Sequence, residues 1–140
     1  MSESVVTAIA FDYGDARVGT ATGNSIARLA TPGVVLENGP DLVADAAALV
    51  AEQYATIVVV GLPRNMDGSE GPQAKRAEAF AEQLEAHCGH KVWLQDETLS
   101  TVEAGEQFPG APIDAAAAAV ILERFFHEQA ETYKPEGDLT

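Results

Sequence analysis

Three acidic residues stand where predicted strands or helices begin or end: Asp12, Glu97 and Asp114. Carboxylates that converge without a cation repel one another and raise one another's pKa values. Their oxygens are the ligands that Mg²⁺ and Mn²⁺ prefer. Two such ions can activate a water and stabilise the leaving oxygen of a phosphodiester. The three positions therefore predict a metal-dependent phosphodiester hydrolase with these residues as catalytic metal ligands.

Each of these carboxylates also has an ordinary structural explanation, because Asp often begins a turn and an acid in a first helical turn complements the helix dipole. Asp114 is the most informative of the three, since Ala118, Ile121 and Phe125 follow it on one helical stripe. A carboxylate that heads a buried stripe needs a partner. No basic residue is nearby in sequence, so we expect that partner to be a metal ion.

The second ligand can be assigned to either of two neighbouring acids, Asp96 and Glu97, which end the same predicted strand. Consecutive residues of a strand point to opposite faces of the sheet, so only one of the two can face a shared site. We take Glu97 as the ligand and keep Asp96 as the alternative.

The pattern of apolar residues predicts the elements that position these acids. Strands are predicted at 5–13, 17–24, 31–37, 55–63 and 90–97, and helices at 39–54, 73–88, 100–108 and 113–133. The first three strands are close enough for an antiparallel meander, and 55–63 is apolar enough for burial on both faces. The alternation of helices and strands that follows predicts an α/β fold, a mixed sheet flanked by helices. We expect one domain over 1–132 and a flexible tail over 133–140.

Charge and composition limit the partners. The 140 residues carry 22 acidic and 8 basic side chains, for a net charge of −14. Such a balance opposes non-specific attraction to phosphate backbones, so nucleic-acid binding must be local or assisted by a metal. The sequence shows neither a signal-peptide pattern nor an apolar run of membrane-spanning length, and we predict a cytoplasmic protein that does not enter a membrane.

Four polar residues near the predicted site are candidates for contacts with nucleic acid. Arg17 follows Asp12 closely in a chain with few basic residues. Arg64 and Asn65 lie in a glycine-rich loop that is long for a plain connection, and we expect it to face the substrate. Arg76 stands early in the helix that follows this loop, where it could flank the site.

Four segments of the chain, running from about residue 8 to residue 126, resemble the YqgF family, also called RuvX, of resolvase-like nucleases. They are "AFDYGDARVGTATG", "VVVGLPRNMDGSEGPQAKRAEAFAEQL", "DETLSTVEA" and "IDAAAAAVILERFF". The resemblance implies an RNase H-like fold with a five-stranded sheet, and it maps the family's acidic site onto Asp12, Glu97 and Asp114. It also implies a role in maturation of the 5′ end of 16S ribosomal RNA precursors.

Two departures from the family pattern remove positive charge near this site. Thr98 stands where similar members often have an arginine, and "EQFPGAPID" is short and carries no basic residue. Neither change removes one of the three proposed metal ligands. We expect weak nucleic-acid binding in the absence of metal.

The leading hypothesis is a Mg²⁺- or Mn²⁺-dependent nuclease acting on structured nucleic acid, either pre-16S rRNA or branched DNA such as a Holliday junction, as a monomer or homodimer. A non-catalytic binding module in ribosome maturation or transcription is the alternative, and the scarcity of basic residues favours it. "FDYGDARVG" also resembles the first phosphate loop of actin-like ATPases and sugar kinases. Those proteins need two such domains, and the length supplies one.

Overall fold

The computed structural model describes residues 5–63, 67, 69–97 and 101–128, without the side chains of 101 and 102. Its strands are β1 (Thr7–Tyr13), β2 (Arg17–Asn24), β3 (Ala30–Glu37), β4 (Ala55–Pro63) and β5 (Val92–Glu97). Its helices are α1 (Leu42–Glu52), α2 (Pro72–Cys88), α3 (Thr101–Gln107) and α4 (Ile113–Glu128). Every predicted element is present. The last helix is confirmed as far as residue 128, and the predicted tail, 133–140, lies outside the described residues.

The five strands form one mixed sheet in the order β3-β2-β1-β4-β5. The first three strands are an antiparallel meander, as predicted, whereas β4 pairs in parallel with both β1 and β5. Parallel strands end at the same edge of a sheet. The carboxyl ends of β1, β4 and β5 therefore meet, and this edge carries Asp12 near the end of β1 and Glu97 at the end of β5.

Helices cover both faces of the sheet. Alternate residues of β1 pack into two separate cores, because successive side chains of a strand point to opposite faces. Ile9 and Phe11 lie in the core beneath α1 and α2. Ala8 and Ala10 lie in the core beneath α4, and Asp12 continues their series. The pleat of β1 therefore directs the Asp12 side chain toward the face that α4 covers.

The first turn of α4 lies directly on β2 at Gly19, the residue that pairs with Asp12 across the two strands. A Cβ atom at this position would collide with the backbone carbonyl of Asp114. Glycine permits this close approach because it has no side chain to interpose. The contact places the start of α4, and with it Asp114, beside the end of β1.

Replacing Gly19 by alanine should destabilise the fold by about 1–3 kcal/mol, because the added methyl group has to push α4 away from β2. Urea denaturation of the two proteins measures the difference. Gly39→Ala is the matched control, since nothing lies within 4 Å of a Cβ built at Gly39. Equal midpoints for the two variants would contradict the close approach of α4.

No helix of the described ranges is both long enough and apolar enough to cross a bilayer.

Candidate active site

Asp12 and Glu97 form a pair of carboxyl groups that share a hydrogen bond. This bond lowers the pKa of Asp12 and raises that of Glu97, so the two groups share one proton as a pair. Burial is the largest influence on both groups. It acts together with the nearby negative charges to raise the pKa of Asp12 to about 6 and that of Glu97 to about 8.

Neighbouring charges modify the two groups in different directions. The carboxylate of Asp114 raises the pKa of Asp12 further, which places Asp114 within electrostatic reach of the pair. The charge of Asp12 raises the pKa of Glu97, whereas the guanidinium of Arg124 lowers it. Because two adjacent buried carboxylates do not both ionise readily, the pair retains a proton at pH values where an exposed Asp or Glu has lost it.

Glu97 is the acid of β5 that faces this site. Trp93 packs against the α4 core and Val92 against the opposite one, so alternation directs Glu97 toward α4 and Asp96 away from it. Gly61 of β4 leaves the space, since a Cβ atom there would lie 3.3 Å from Oε2 of Glu97. Asp96 is exposed on the other face.

Asp114 stands in the first turn of α4 and has a basic partner. Nε of Arg17 donates to Oδ2 of Asp114 at 3.0 Å, across 97 positions of sequence. The two side chains are 63% and 29% exposed. Our expectation of a metal partner considered only basic residues nearby in sequence. The packing of α4 on β2 brings Arg17 to Asp114 as a basic partner, and the role of Asp114 as a metal ligand stays a prediction.

The three predicted acids thus do not form a complete set of metal ligands in the structure as described. Within the ranges that the structure describes, no group of three His, Cys, Asp or Glu side chains is arranged to hold a metal. Asp12 and Glu97 contact each other, while Asp114 lies beside them and pairs with Arg17. The donor set nevertheless suits a hard divalent cation, because two buried carboxyls with raised pKa values need either a proton or a cation.

Two of the four predicted nucleic-acid contacts, Arg17 and Arg76, lie in the described residues, and each is paired with an acid. Arg76 of α2 holds Asp15 in the turn after β1, with Nε 3.2 Å from Oδ1. This pair and the pair of Arg17 with Asp114 are largely exposed to solvent, and ion pairs of that kind contribute little stability. Either arginine can therefore exchange its carboxylate for a phosphate at small cost. Arg64 and Asn65 lie outside the described residues.

Two residues at this edge were not identified by the sequence analysis. Arg124 of α4 acts on Glu97, and its Nε lies 3.9 Å from Oε2 of Glu128. Gln95 is buried on the same face of β5 as Glu97, and its amide donates to Oε1 of Glu128 at 2.9 Å. The available signal was a single arginine in an otherwise acidic and apolar helix, together with a polar residue two positions before Glu97.

Known proteins resemble this chain in sequence and in fold. The model of the RuvX family, described as Holliday junction resolvase, matches residues 6–128. A protein of Alcanivorax borkumensis is 42% identical over 131 residues, which cover 89% of this chain and 98% of that protein. A protein of Yersinia pestis is 41% identical over 136 residues, which cover 89% of this chain and 96% of that protein. Both are named "Putative pre-16S rRNA nuclease".

Solved structures show the fold. The structure of Thermus thermophilus RuvC has a TM-score of 0.58 at 13% identity and covers 87% of this chain and 96% of its own. RuvC in complex with a Holliday junction substrate has a TM-score of 0.57 at 13% identity, over 89% and 97% of the two chains. The fold is therefore RNase H-like, as predicted. Given the family match over 6–128 and relatives at 41–42% identity, the chain belongs to the RuvX family.

Proposed function

We propose that this protein is a Mg²⁺- or Mn²⁺-dependent nuclease that hydrolyses phosphodiester bonds in structured nucleic acid. The observation that carries the proposal is the partly buried pair of Asp12 and Glu97 at the carboxyl ends of parallel strands, with Asp114 beside it. Burying two acids against each other is unfavourable for folding, and a fold keeps such a pair where it serves chemistry. The family match and the names of the relatives support the same activity.

Asp12, Glu97 and Asp114 are the residues that would hold the metal. When bound there, the metal supplies an activated water and stabilises the negative charge on the leaving oxygen. The protein's own task is to give up the proton that Glu97 shares with Asp12, because both carboxylates must be ionised to act as ligands. Asp114 must also leave Arg17, at least in part.

Arg17 is well placed for a second task once Asp114 has another partner. Its guanidinium is 63% exposed and is held at the edge of the site by one carboxylate. A guanidinium binds a phosphate through paired hydrogen bonds as readily as it binds a carboxylate. We propose that Arg17 moves from Asp114 to a phosphate of the substrate, and that Arg76 does the same from Asp15.

Pre-16S rRNA is the substrate that we favour, with processing of its 5′ end as the reaction. The relatives at 41–42% identity carry that activity in their names and are covered over almost their whole length. The likeness to RuvC is at 13% identity, so the Holliday junction remains the second candidate substrate. We propose that the protein works in the cytoplasm as a monomer or homodimer. The pair of Asp12 and Glu97 argues against the non-catalytic alternative, which only the scarcity of basic residues favours.

A cleavage assay tests the proposal. The purified protein is incubated with an RNA that spans the 5′ end of 16S rRNA and its leader, and separately with a four-way DNA junction, in Mg²⁺, Mn²⁺ or chelator. We expect metal-dependent cleavage of the RNA, and none by Asp12→Asn prepared in the same way, which controls for contaminating nucleases. Absence of cleavage of both substrates in both metals would refute the proposed activity.

A further inference from the structure

A cleft opens at the same edge of the sheet as the carboxylates, on the opposite face. Its volume is about 340 Å³, and it lies between α1, α2 and the end of β1. Tyr13 is partly exposed and packs on the buried ring of Phe80, with ring centroids 5.3 Å apart and planes inclined by 36°. Val43 of α1 adds partly exposed apolar surface. Of the residues that line this cleft, Arg76 alone has a role in the function proposed above.

Polar groups line the remaining sides of the cleft. They are the amides of Asn38 and Gln83 and the guanidinium of Arg76. Nδ2 of Asn38 donates to the carbonyl of Gly14 at 2.7 Å, which fixes the amide and leaves its oxygen as an acceptor. The cleft thus combines flat apolar surface with oriented donors and acceptors and one cation. This combination is typical of sites for small planar polar ligands.

The position of the cleft relative to the carboxylates suggests what enters it. Tyr13 directly follows Asp12 in β1, so their Cα atoms are about 3.8 Å apart and their side chains point to opposite faces. A strand of nucleic acid with one phosphate at Asp12 would cross the end of β1 beside Tyr13. The base of a neighbouring nucleotide would then lie over the cleft, with its phosphate close to Arg76.

We propose that this cleft binds one unpaired base of the strand that is cut, next to the scissile phosphate. A nucleobase has apolar faces that stack on aromatic rings and polar edges that pair with amides, and it brings a phosphate for the guanidinium. The proposal rests on the proposed function and adds a substrate requirement. The preferred substrate has an unpaired nucleotide beside the cut, as at a single-stranded end or a loop, and an uninterrupted duplex is disfavoured.

Binding of two labelled RNA hairpins, measured by fluorescence anisotropy, tests this requirement separately from cleavage. The hairpins share one stem, and only the first has a single-stranded 5′ extension. Measurements are made in Ca²⁺ and again in chelator. We expect the wild-type protein to bind the extended hairpin more tightly than the blunt one. Tyr13→Leu should weaken binding of the extended hairpin about tenfold and leave the blunt one unchanged, because one base loses its stacking partner.

Matched variants separate stacking from other effects. Tyr13→Phe keeps the ring and should bind as the wild type does. Tyr54→Leu removes a tyrosine that is 86% exposed at the opposite end of the sheet and should have no effect. Arg76→Gln should weaken binding of the extended hairpin by a smaller factor than Tyr13→Leu, and melting midpoints confirm that each variant is folded.

Three results would overturn the proposal. The first is equal affinity of Tyr13→Leu and wild type for the extended hairpin, and the second is a preference for the blunt hairpin. The third is displacement of the extended hairpin by adenosine monophosphate at the concentration at which an unlabelled oligonucleotide displaces it, which would make the cleft a site for free nucleotides. Cleavage in Mn²⁺ is scored separately, so loss of the base site and loss of the nuclease activity are distinguishable.

Discussion

Replacing Glu97 by glutamine should reduce metal-dependent cleavage by about 100-fold or more, the scale on which enzymes lose activity when a group that stabilises developing charge is removed. Glutamine keeps the size of the side chain and a hydrogen bond to Asp12, but it removes a negatively charged ligand. The change should not destabilise the metal-free protein, because it also removes a buried ionisable group. Single-turnover cleavage of the precursor RNA, with a melting curve for each protein, provides the measurement.

Asp96→Asn is the matched control for this experiment. It changes the neighbouring acid on the same strand, and its side chain is exposed on the opposite face of the sheet. We expect its cleavage rate to stay within about twofold of the wild type, as for most surface substitutions. If Asp96→Asn loses activity and Glu97→Gln keeps it, the assignment of the second ligand is reversed.

The stability of the metal-free protein should fall as the pH rises from about 4 to about 8. Asp12 and Glu97 have folded-state pKa values of about 6 and about 8, above their ordinary values of 3.8 and 4.5. Between these limits the folded state holds more protons than the unfolded state, so raising the pH favours unfolding. The loss should be of the order of a few kcal/mol, because each unit of pKa shift corresponds to about 1.4 kcal/mol. The loss levels off about one unit above pH 8, where Glu97 is ionised in both the folded and the unfolded state.

Urea denaturation at pH 5 and pH 8 in chelator measures this loss. The difference between wild type and Asp12→Asn isolates the pair from the other carboxylates of an acidic chain. We expect the stability of Asp12→Asn to depend less on pH than that of the wild type. The reason is that Glu97 then no longer has a charged hydrogen-bond partner. Mn²⁺ at pH 8 should restore stability to the wild type by binding the folded state, and should do so much less for Asp12→Asn. Equal stability of the wild type at the two pH values would refute the shared proton.

Local pattern was sufficient to predict most of the fold. The predicted strands 17–24 and 55–63 have the same bounds as β2 and β4 in the structure. Their apolar and β-branched residues are bordered by Gly, Asp, Asn and Pro, which mark the ends. Asp12 and Glu97 could be associated because each ends a strand. The strand order that brings them together requires β4 between β1 and β5, and single strands do not encode that order.

Three features of the site depend on contacts between distant segments and could not be predicted. Arg17 reaches Asp114 only because α4 lies on Gly19, and no sequence pattern relates the two. The choice of Glu97 over Asp96 requires knowledge of which core lies on which face of β5. The cleft at Tyr13 exists because α1 and α2 pack side by side beyond the end of β1. The roles assigned to Arg64 and Asn65 stay predictions.

The separation of Asp12 from Asp114 along the chain has a consequence for biosynthesis. The meander of β1, β2 and β3 uses neighbouring segments, whereas β4, β5 and α4 must all follow before the acidic edge is complete. Contacts across such sequence distances form late. At about 5–20 residues per second, many translation steps separate the appearance of the first acid from that of the third. The complete set of three acids is therefore present only after the start of α4 has been synthesised.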